Sequence, residues 1–265
     1  MASRAEQKAA LRAAREARQK ELSAAQTRRK RMYSLGALLV GVIVALVVVV
    51  VAGKGGSTTP PASAKTAQAT VKSLLKGIPQ NGNTLGKASA PVTVTEYGDL
   101  ACPVCQEFAL GSEQQLIANE VHTGKVKLVY RGLETASSYA NSGEYAASQI
   151  AARAAGQQGR AWQYIMLWYY EQQSEDTPYI TDAFMQNIAA QVPGLNLTKW
   201  QTDRNSSTLA TDVTGDLQAA TAAGLVGSSG PSTPSITFDG PKGAAPPIVG
   251  LPSYAQLQSE IQAIS

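Results

Sequence analysis

Histidine is all but missing from this chain, with His122 alone among 265 residues, and cysteine is nearly as rare, with only Cys102 and Cys105. A zinc centre needs about four nitrogen or sulfur ligands, so three soft donors exclude one. Two cysteines also exclude a small scaffold built on a disulfide framework. Charged residues make up only 16%, and with Leu, Val and Ala plentiful that excludes wholesale disorder. The net charge of +4 hides an uneven distribution. Residues 1–32 hold ten Lys and Arg against three Glu, a balance of +7, and everything beyond carries −3. Nucleic acid is therefore not expected as a partner of the mildly acidic body.

From Tyr33 to Gly53 run 21 residues without a charge, dominated by Leu, Val and Ala. A helix of that length matches the roughly 30 Å hydrocarbon thickness of a bilayer, which predicts a single transmembrane anchor over 33–53. A cleavable signal peptide is the alternative. Its apolar core usually runs about 7–15 residues, shorter than this one, although Val50 and Ala52 offer a weak cleavage pattern. Arg28-Arg29-Lys30-Arg31 abuts the start of the span, so residues 1–32 are expected in the cytoplasm as a basic tail and the rest outside. Residues 54–77 begin small, polar and proline-bearing and read as a flexible tether.

The body is expected over 78–265. Pro91 to Tyr97 alternates β-branched residues as a strand does, and Lys125 to Arg131 repeats the pattern. Between them, a helix from Pro103 to about Glu120 makes a β-α-β unit with parallel strands. Helical spacing then runs over 142–157, 160–173, 181–191 and 197–224. The aromatics from Trp162 to Tyr169 read as helix packing rather than a ligand cage. Ser235 to Phe238 and Pro247 to Gly250 suggest two further strands, and 252–264 a last helix. The order describes an α/β layer with an added helical lobe.

Cys102-Pro103-Val104-Cys105 stands where the first strand hands over to the first helix. A thiol at a helix N-terminus meets unpaired N–H groups and the positive end of the dipole, which favour the thiolate. The thiolate is the species that attacks a disulfide. The i, i+3 spacing puts the second sulfur within reach of the first. Cys102, nearer the helix end, is expected to attack and be attacked, and Cys105, one turn in, to resolve. A purely structural disulfide across so short a loop removes little unfolded-state entropy. A pair of buried inert thiols remains the other alternative. His122 reads as an exposed residue near the end of the first helix.

Glu96-Tyr97-Gly98-Asp99-Leu100-Ala101-Cys102-Pro103-Val104-Cys105, followed much later by Ser232-Thr233-Pro234-Ser235-Ile236-Thr237-Phe238, resembles the DsbA-like thiol:disulfide oxidoreductases, and in particular their membrane-anchored branch. The resemblance covers about residues 78–263. It implies a thioredoxin-like fold with a helical insertion at about 139–226, with Cys102 as nucleophile and Cys105 as its buried partner. It also implies that Thr233-Pro234 is the loop whose cis-proline faces the active site, Pro231 being the rival. Pro103, Val104, Thr233 and Pro234 would contact substrate, and Glu96 would be an acid under the site that relays the Cys105 proton. No cofactor beyond the cysteine pair is implied. The implied partners are cysteine-containing exported or membrane proteins and a membrane-embedded, quinone-linked thiol oxidase that restores the disulfide.

The activity expected is extracytoplasmic disulfide formation, or the same exchange run as isomerisation or reduction. A non-catalytic thioredoxin-fold module that grips peptides is the alternative. One departure from the family pattern is Val104, where the best-known oxidants of the family carry histidine. Valine cannot donate a charge-assisted hydrogen bond to the Cys102 thiolate. A weaker oxidant than DsbA, at about −120 mV, is therefore expected, with a Cys102 pKa above the value of about 3.5 quoted for it.

Overall fold

β3 (Val92–Gly98) runs through the middle of a six-stranded sheet of order β1-β2-β4-β3-β7-β8. The structure is a computed structural model, and it describes residues 62–140, 144–175, 177–228 and 230–265. The basic tail, the expected span over 33–53 and the first part of the expected tether lie outside the described residues. Among the described residues no helix is long and apolar enough to cross a membrane.

The sheet is built from β1 (Gln80–Asn81), β2 (Thr84–Leu85), β3, β4 (Val126–Gly132), β7 (Ser235–Gly240) and β8 (Gly243–Val249). β5 (Val226–Gly227) and β6 (Gly230–Pro231) form a separate two-stranded pair. β3 and β4 are parallel, as the β-α-β reading requires, with Glu96 opposite Tyr130. β7 runs antiparallel on the other side of β3, with Ile236 opposite Glu96. β4 alternates buried and half-buried residues, the signature of a strand with one face in the core. β3 is buried almost throughout, which suits a central strand. β8, with Pro246 and Pro247, is an edge strand, where the missing N–H groups cost no ladder bonds. It starts earlier than the weak strand expected at 247–250, because the turn after Gly240 lets pairing begin at Gly243.

The helices are α1 (Ala62–Leu74), α2 (Pro103–Leu110), α3 (Ser112–Leu116), α4 (Ser137–Ala140), α5 (Glu144–Gly156), α6 (Ala161–Glu171), α7 (Asp182–Gln191), α8 (Leu197–Asp203), α9 (Ser207–Ala222) and α10 (Tyr254–Ile264). The helical lobe from α4 to α9 corresponds to the insertion expected at about 139–226. At its centre lies α6, with Trp162, Tyr164, Ile165, Met166, Leu167, Trp168 and Tyr169 all buried. These aromatics are core, as their helical spacing predicts. A helix apolar on every side is one enclosed by its neighbours.

Three expectations need correction. The tether does not reach residue 77, because α1 buries Ala64, Ala67, Val71 and then Leu75 against α6. That is helical spacing, carried largely by alanines that look like linker in a small-residue context. The helix expected from Pro103 to Glu120 is interrupted at Gly111 and ends in a π-turn over Ile117–Val121. A Cβ on Gly111 would lie 2.7 Å from the Glu107 carbonyl oxygen, so the sharp break needs glycine there. The helix expected over 197–224 is two helices, since the Ser206 side chain accepts from the Leu209 N–H and starts α9 afresh. The β1–β2 hairpin was not expected.

Candidate active site

The site forms where β3 ends and α2 begins. Cys102 is the N-cap of α2, with an extended backbone, and Pro103 is the first helical residue. Proline suits that position because its missing N–H would have had no helical partner. Ahead of it, the buried Asp99 carboxylate organises the loop. Asp99 accepts from the Ala101 N–H at 3.0 Å, the Thr135 N–H at 2.8 Å and the Ser137 N–H at 2.9 Å, and from the Ser137 hydroxyl. The Trp168 indole N–H donates to the Leu100 carbonyl at 2.7 Å, and the Gln106 amide donates to the Tyr169 carbonyl at 2.6 Å. The helical lobe thus braces both the loop and the first helix after it.

The Thr233–Pro234 peptide is cis. The Cys102 thiol donates to the Thr233 carbonyl oxygen at 3.6 Å, so two segments 131 residues apart meet at one sulfur. Cys102, Pro103, Val104, Thr135, Pro231 and Thr233 line part of a cleft of about 460 Å³. Val104 is among the few exposed large hydrophobic residues. Pro234 is buried and is not part of the lining, whereas Pro231, the rival for the cis bond, is. Three of the four residues expected to meet substrate therefore share one cleft with Cys102. A larger cleft of about 790 Å³, lined by residues of α7 and α8, holds neither cysteine.

Both cysteines are free thiols, and their surroundings differ. A hydrogen bond from the Cys105 thiol leads the effects that lower the Cys102 pKa to about 6, and burial opposes it. Thr233 and the N–H groups of Cys105 and Val104 add to the lowering, as the helix-start position predicts. Cys105 is fully enclosed, and burial together with Cys102 pushes its thiol well above the usual range.

Glu96 is buried at 1% exposure, on the central strand rather than facing solvent. Burial pushes it up to about 7; a hydrogen bond with Glu113 works against that, and Cys102 adds to it. Sequence reasoning missed Glu113, a fully buried carboxyl on α3. No pattern in a single sequence distinguishes it from the exposed Glu107 before it or from Glu120 after it, which pairs with Lys125. Asp99 and Thr135 were missed as well, Asp99 being read only as part of a turn. His122 is exposed just after the π-turn, as expected, and takes no part in the site. Among the described residues no group of His, Cys, Asp or Glu is arranged to hold a metal.

Similarity to known proteins agrees with this geometry. The oxidised form of BdbD from Bacillus subtilis superposes with a TM-score of 0.57 at 18% identity, over 71% of this chain and 95% of that one. DsbA2 of Pseudomonas aeruginosa superposes with a TM-score of 0.54 at 21% identity, over 72% and 97%. The probable disulfide bond formation protein D of Bacillus anthracis is 25% identical over 138 residues, which is 52% of this chain. The match spans 62% of that relative's length. A family model described as thioredoxin matches residues 80–262, the whole sheet and the lobe inserted into it. The chain belongs to the thioredoxin family, and its helical lobe between the two halves of the sheet gives it the fold of the DsbA structures.

Proposed function

We propose that this chain is a membrane-anchored thiol:disulfide oxidoreductase that forms disulfides in exported and membrane proteins on the outer side of the cytoplasmic membrane. The observation that carries the reading is the asymmetry of the two sulfurs. Cys102 opens onto a cleft with its pKa lowered to about 6, while Cys105 behind it is enclosed and raised. A good leaving sulfur and a shielded partner are what directional exchange requires.

In the oxidised protein a substrate thiolate attacks the Cys102 sulfur. The Cys102–Cys105 bond breaks, and Cys105 leaves with the electron pair and takes a proton from Glu96. A second substrate thiolate then attacks the substrate sulfur of the mixed disulfide and expels Cys102 as thiolate. The substrate has lost two electrons and the pair has gained them. Thr233 offers backbone beside Cys102, and Pro103 and Val104 offer apolar contact, to a substrate lying extended in the cleft. A membrane-embedded, quinone-linked thiol oxidase would return the pair to the disulfide, and no other cofactor is required. The uncharged run over 33–53 and the basic residues before it support the anchor and its orientation.

The deciding experiment is Cys105→Ser in the full-length protein. Mixed disulfides between Cys102 and exported cysteine-containing proteins should accumulate, and disappear in the Cys102→Ala, Cys105→Ser double variant. If none forms while such proteins are being exported, the chain is a peptide-gripping module and not an enzyme. The resting state in cells sets the direction: mostly disulfide for a donor, mostly dithiol for a reductase.

A further inference from the structure

The cleft beside Cys102 carries charge of one sign. Among the described residues that line it, Glu134 and Glu175 are acidic and none is basic. The two glutamates come from separate loops. Glu134 stands between two anchored neighbours: the Leu133 N–H donates to the Gly98 carbonyl at 2.9 Å, and the Thr135 N–H to the Asp99 carboxylate at 2.8 Å. Its backbone is thereby fixed to the turn that presents Cys102, while the residue itself is exposed. Glu175 follows α6 in a tight turn, where the Thr177 N–H donates to the Ser174 carbonyl at 3.0 Å and the Thr177 hydroxyl to the same oxygen at 2.7 Å. It is half-buried. Among the described residues neither glutamate forms an ion pair with a lysine or arginine. The basic residue nearest to Glu134 in the chain, Arg131, is committed to the buried Asp216 at 3.0 Å.

Carboxylates left without cations in a cleft raise the local concentration of positive groups and lower that of negative ones. We propose that Glu134 and Glu175 set substrate specificity, selecting thiol substrates whose reacting cysteine is flanked by Lys or Arg over those flanked by Asp or Glu. The inference rests on the oxidoreductase reading above and names the class of substrate it takes. Pro103 and Val104 offer apolar contact that is blind to charge, so the choice between substrates of similar shape falls to the two carboxylates. Small anionic thiols meet the same repulsion. The exchange itself is the one described above. Neither glutamate gives or takes a proton or an electron in it; both act on the residues beside the attacking cysteine.

The test uses the oxidised full-length protein in a neutral detergent. Three synthetic peptides, each with a pair of cysteines, are alike except that one cysteine is flanked on both sides by Lys, by Gln or by Glu. Each peptide closes its own disulfide and loses two electrons, and the Cys102–Cys105 pair gains them as its bond breaks. Closure is followed by mass at about 10 mM and about 1 M salt, where charges are screened over roughly 30 Å and 3 Å. Rates are divided by those of the same peptides with hydroxyethyl disulfide, which carries no charge, so that intrinsic thiol reactivity cancels.

One exposed attraction or repulsion of this kind changes a rate by about twofold. Acting together on both flanks they should give the Lys peptide roughly a tenfold advantage over the Glu peptide at low salt, with the Gln peptide between. That advantage should be lost in Glu134→Gln, Glu175→Gln, and in wild type at high salt. Asp212→Asn, Glu260→Gln removes the same charge from α9 and α10, outside the cleft, and should keep it. An advantage that survives in the cleft variant overturns the proposal, as does an equal loss in the distant one. Should the cleft variant fail to fold, the salt series on wild type decides: a ratio that falls upholds the proposal, and a ratio that does not move overturns it. If all three peptides are oxidised at equal corrected rates, this inference alone is wrong. If none is oxidised, the oxidoreductase reading falls and this one with it.

Discussion

The hydroxyls of Thr135 and Thr233 lie 2.6 Å apart in a hydrogen bond that joins the loop after β4 to the loop before β7. Thr135 is itself held by Asp99 through its N–H, so one buried carboxylate fixes both the turn that presents Cys102 and the carbonyl that Cys102 meets. Replacing Thr135 with valine keeps the shape and removes the hydroxyl. Denaturant unfolding should show a loss of about 1–2 kcal/mol, the cost of leaving a buried polar group without its partner. The alkylation midpoint of Cys102 should rise with it, because Thr233 helps hold the thiolate. An unchanged midpoint and stability would mean the contact does not organise the site.

The lowered Cys102 pKa has a sign that can be checked. An unfolded thiol titrates at about 8.5, whereas the folded one does so at about 6. Between those values the unfolded chain binds more protons, so the dithiol protein gains stability as pH rises through this window. That contribution is complete above about 8.5 and is lost as pH falls through about 6. Because the disulfide form has no such thiol, the stability of the reduced form relative to the oxidised one should rise with pH across the same range. Iodoacetamide should label Cys102 with a midpoint near 6 and leave Cys105 untouched in the folded protein.

Val104 is 39% exposed beside the thiolate, so a different side chain fits there without disturbing the core. Val104→His should place a donor near Cys102 and stabilise the reduced form. A gain of about 1.4 kcal/mol corresponds to about 30 mV for the two-electron couple, and the potential should move upward by roughly that amount or more. For the wild type a glutathione redox titration should give a value more negative than about −120 mV. A wild-type value at or above that would show that a histidine at this position is not what sets the potential.

Gly98 ends β3 against Glu96 and Tyr130. A Cβ there would lie 2.9 Å from Glu96 Oε1 and 3.0 Å from the Tyr130 ring. Both neighbours are buried, so neither can swing into solvent. Gly98→Ala should cost about 1–3 kcal/mol, as overpacking does, and should move the pH dependence of mixed-disulfide resolution together with Glu96. Thermal unfolding and the rate of glutathione release from a Cys102 mixed disulfide at a series of pH values give the two readouts separately.

Much of the fold was legible in the sequence. Alternation marked β3, β4 and β7, and helical spacing marked α5, α6 and α7 to within a few residues. α1 was not legible, since alanines at 64 and 67 carry no strong periodic signal until the partner surface of α6 is known. Nor was the break between α8 and α9, where a serine cap interrupts otherwise continuous helical spacing.

Local sequence alone set where the two sulfurs lie and which of them stands at the helix start. A thiol at the N-cap of a helix is favoured as thiolate by local backbone geometry, and three residues of spacing bring the second sulfur beneath it. Long-range packing decided what surrounds them. The Thr233 carbonyl beside Cys102, the Asp99 clamp on Thr135, and the Trp168 bond to Leu100 each join residues 36 or more apart in the chain. Proton affinity in a protein interior depends on what has been folded against a group, and no local pattern records that.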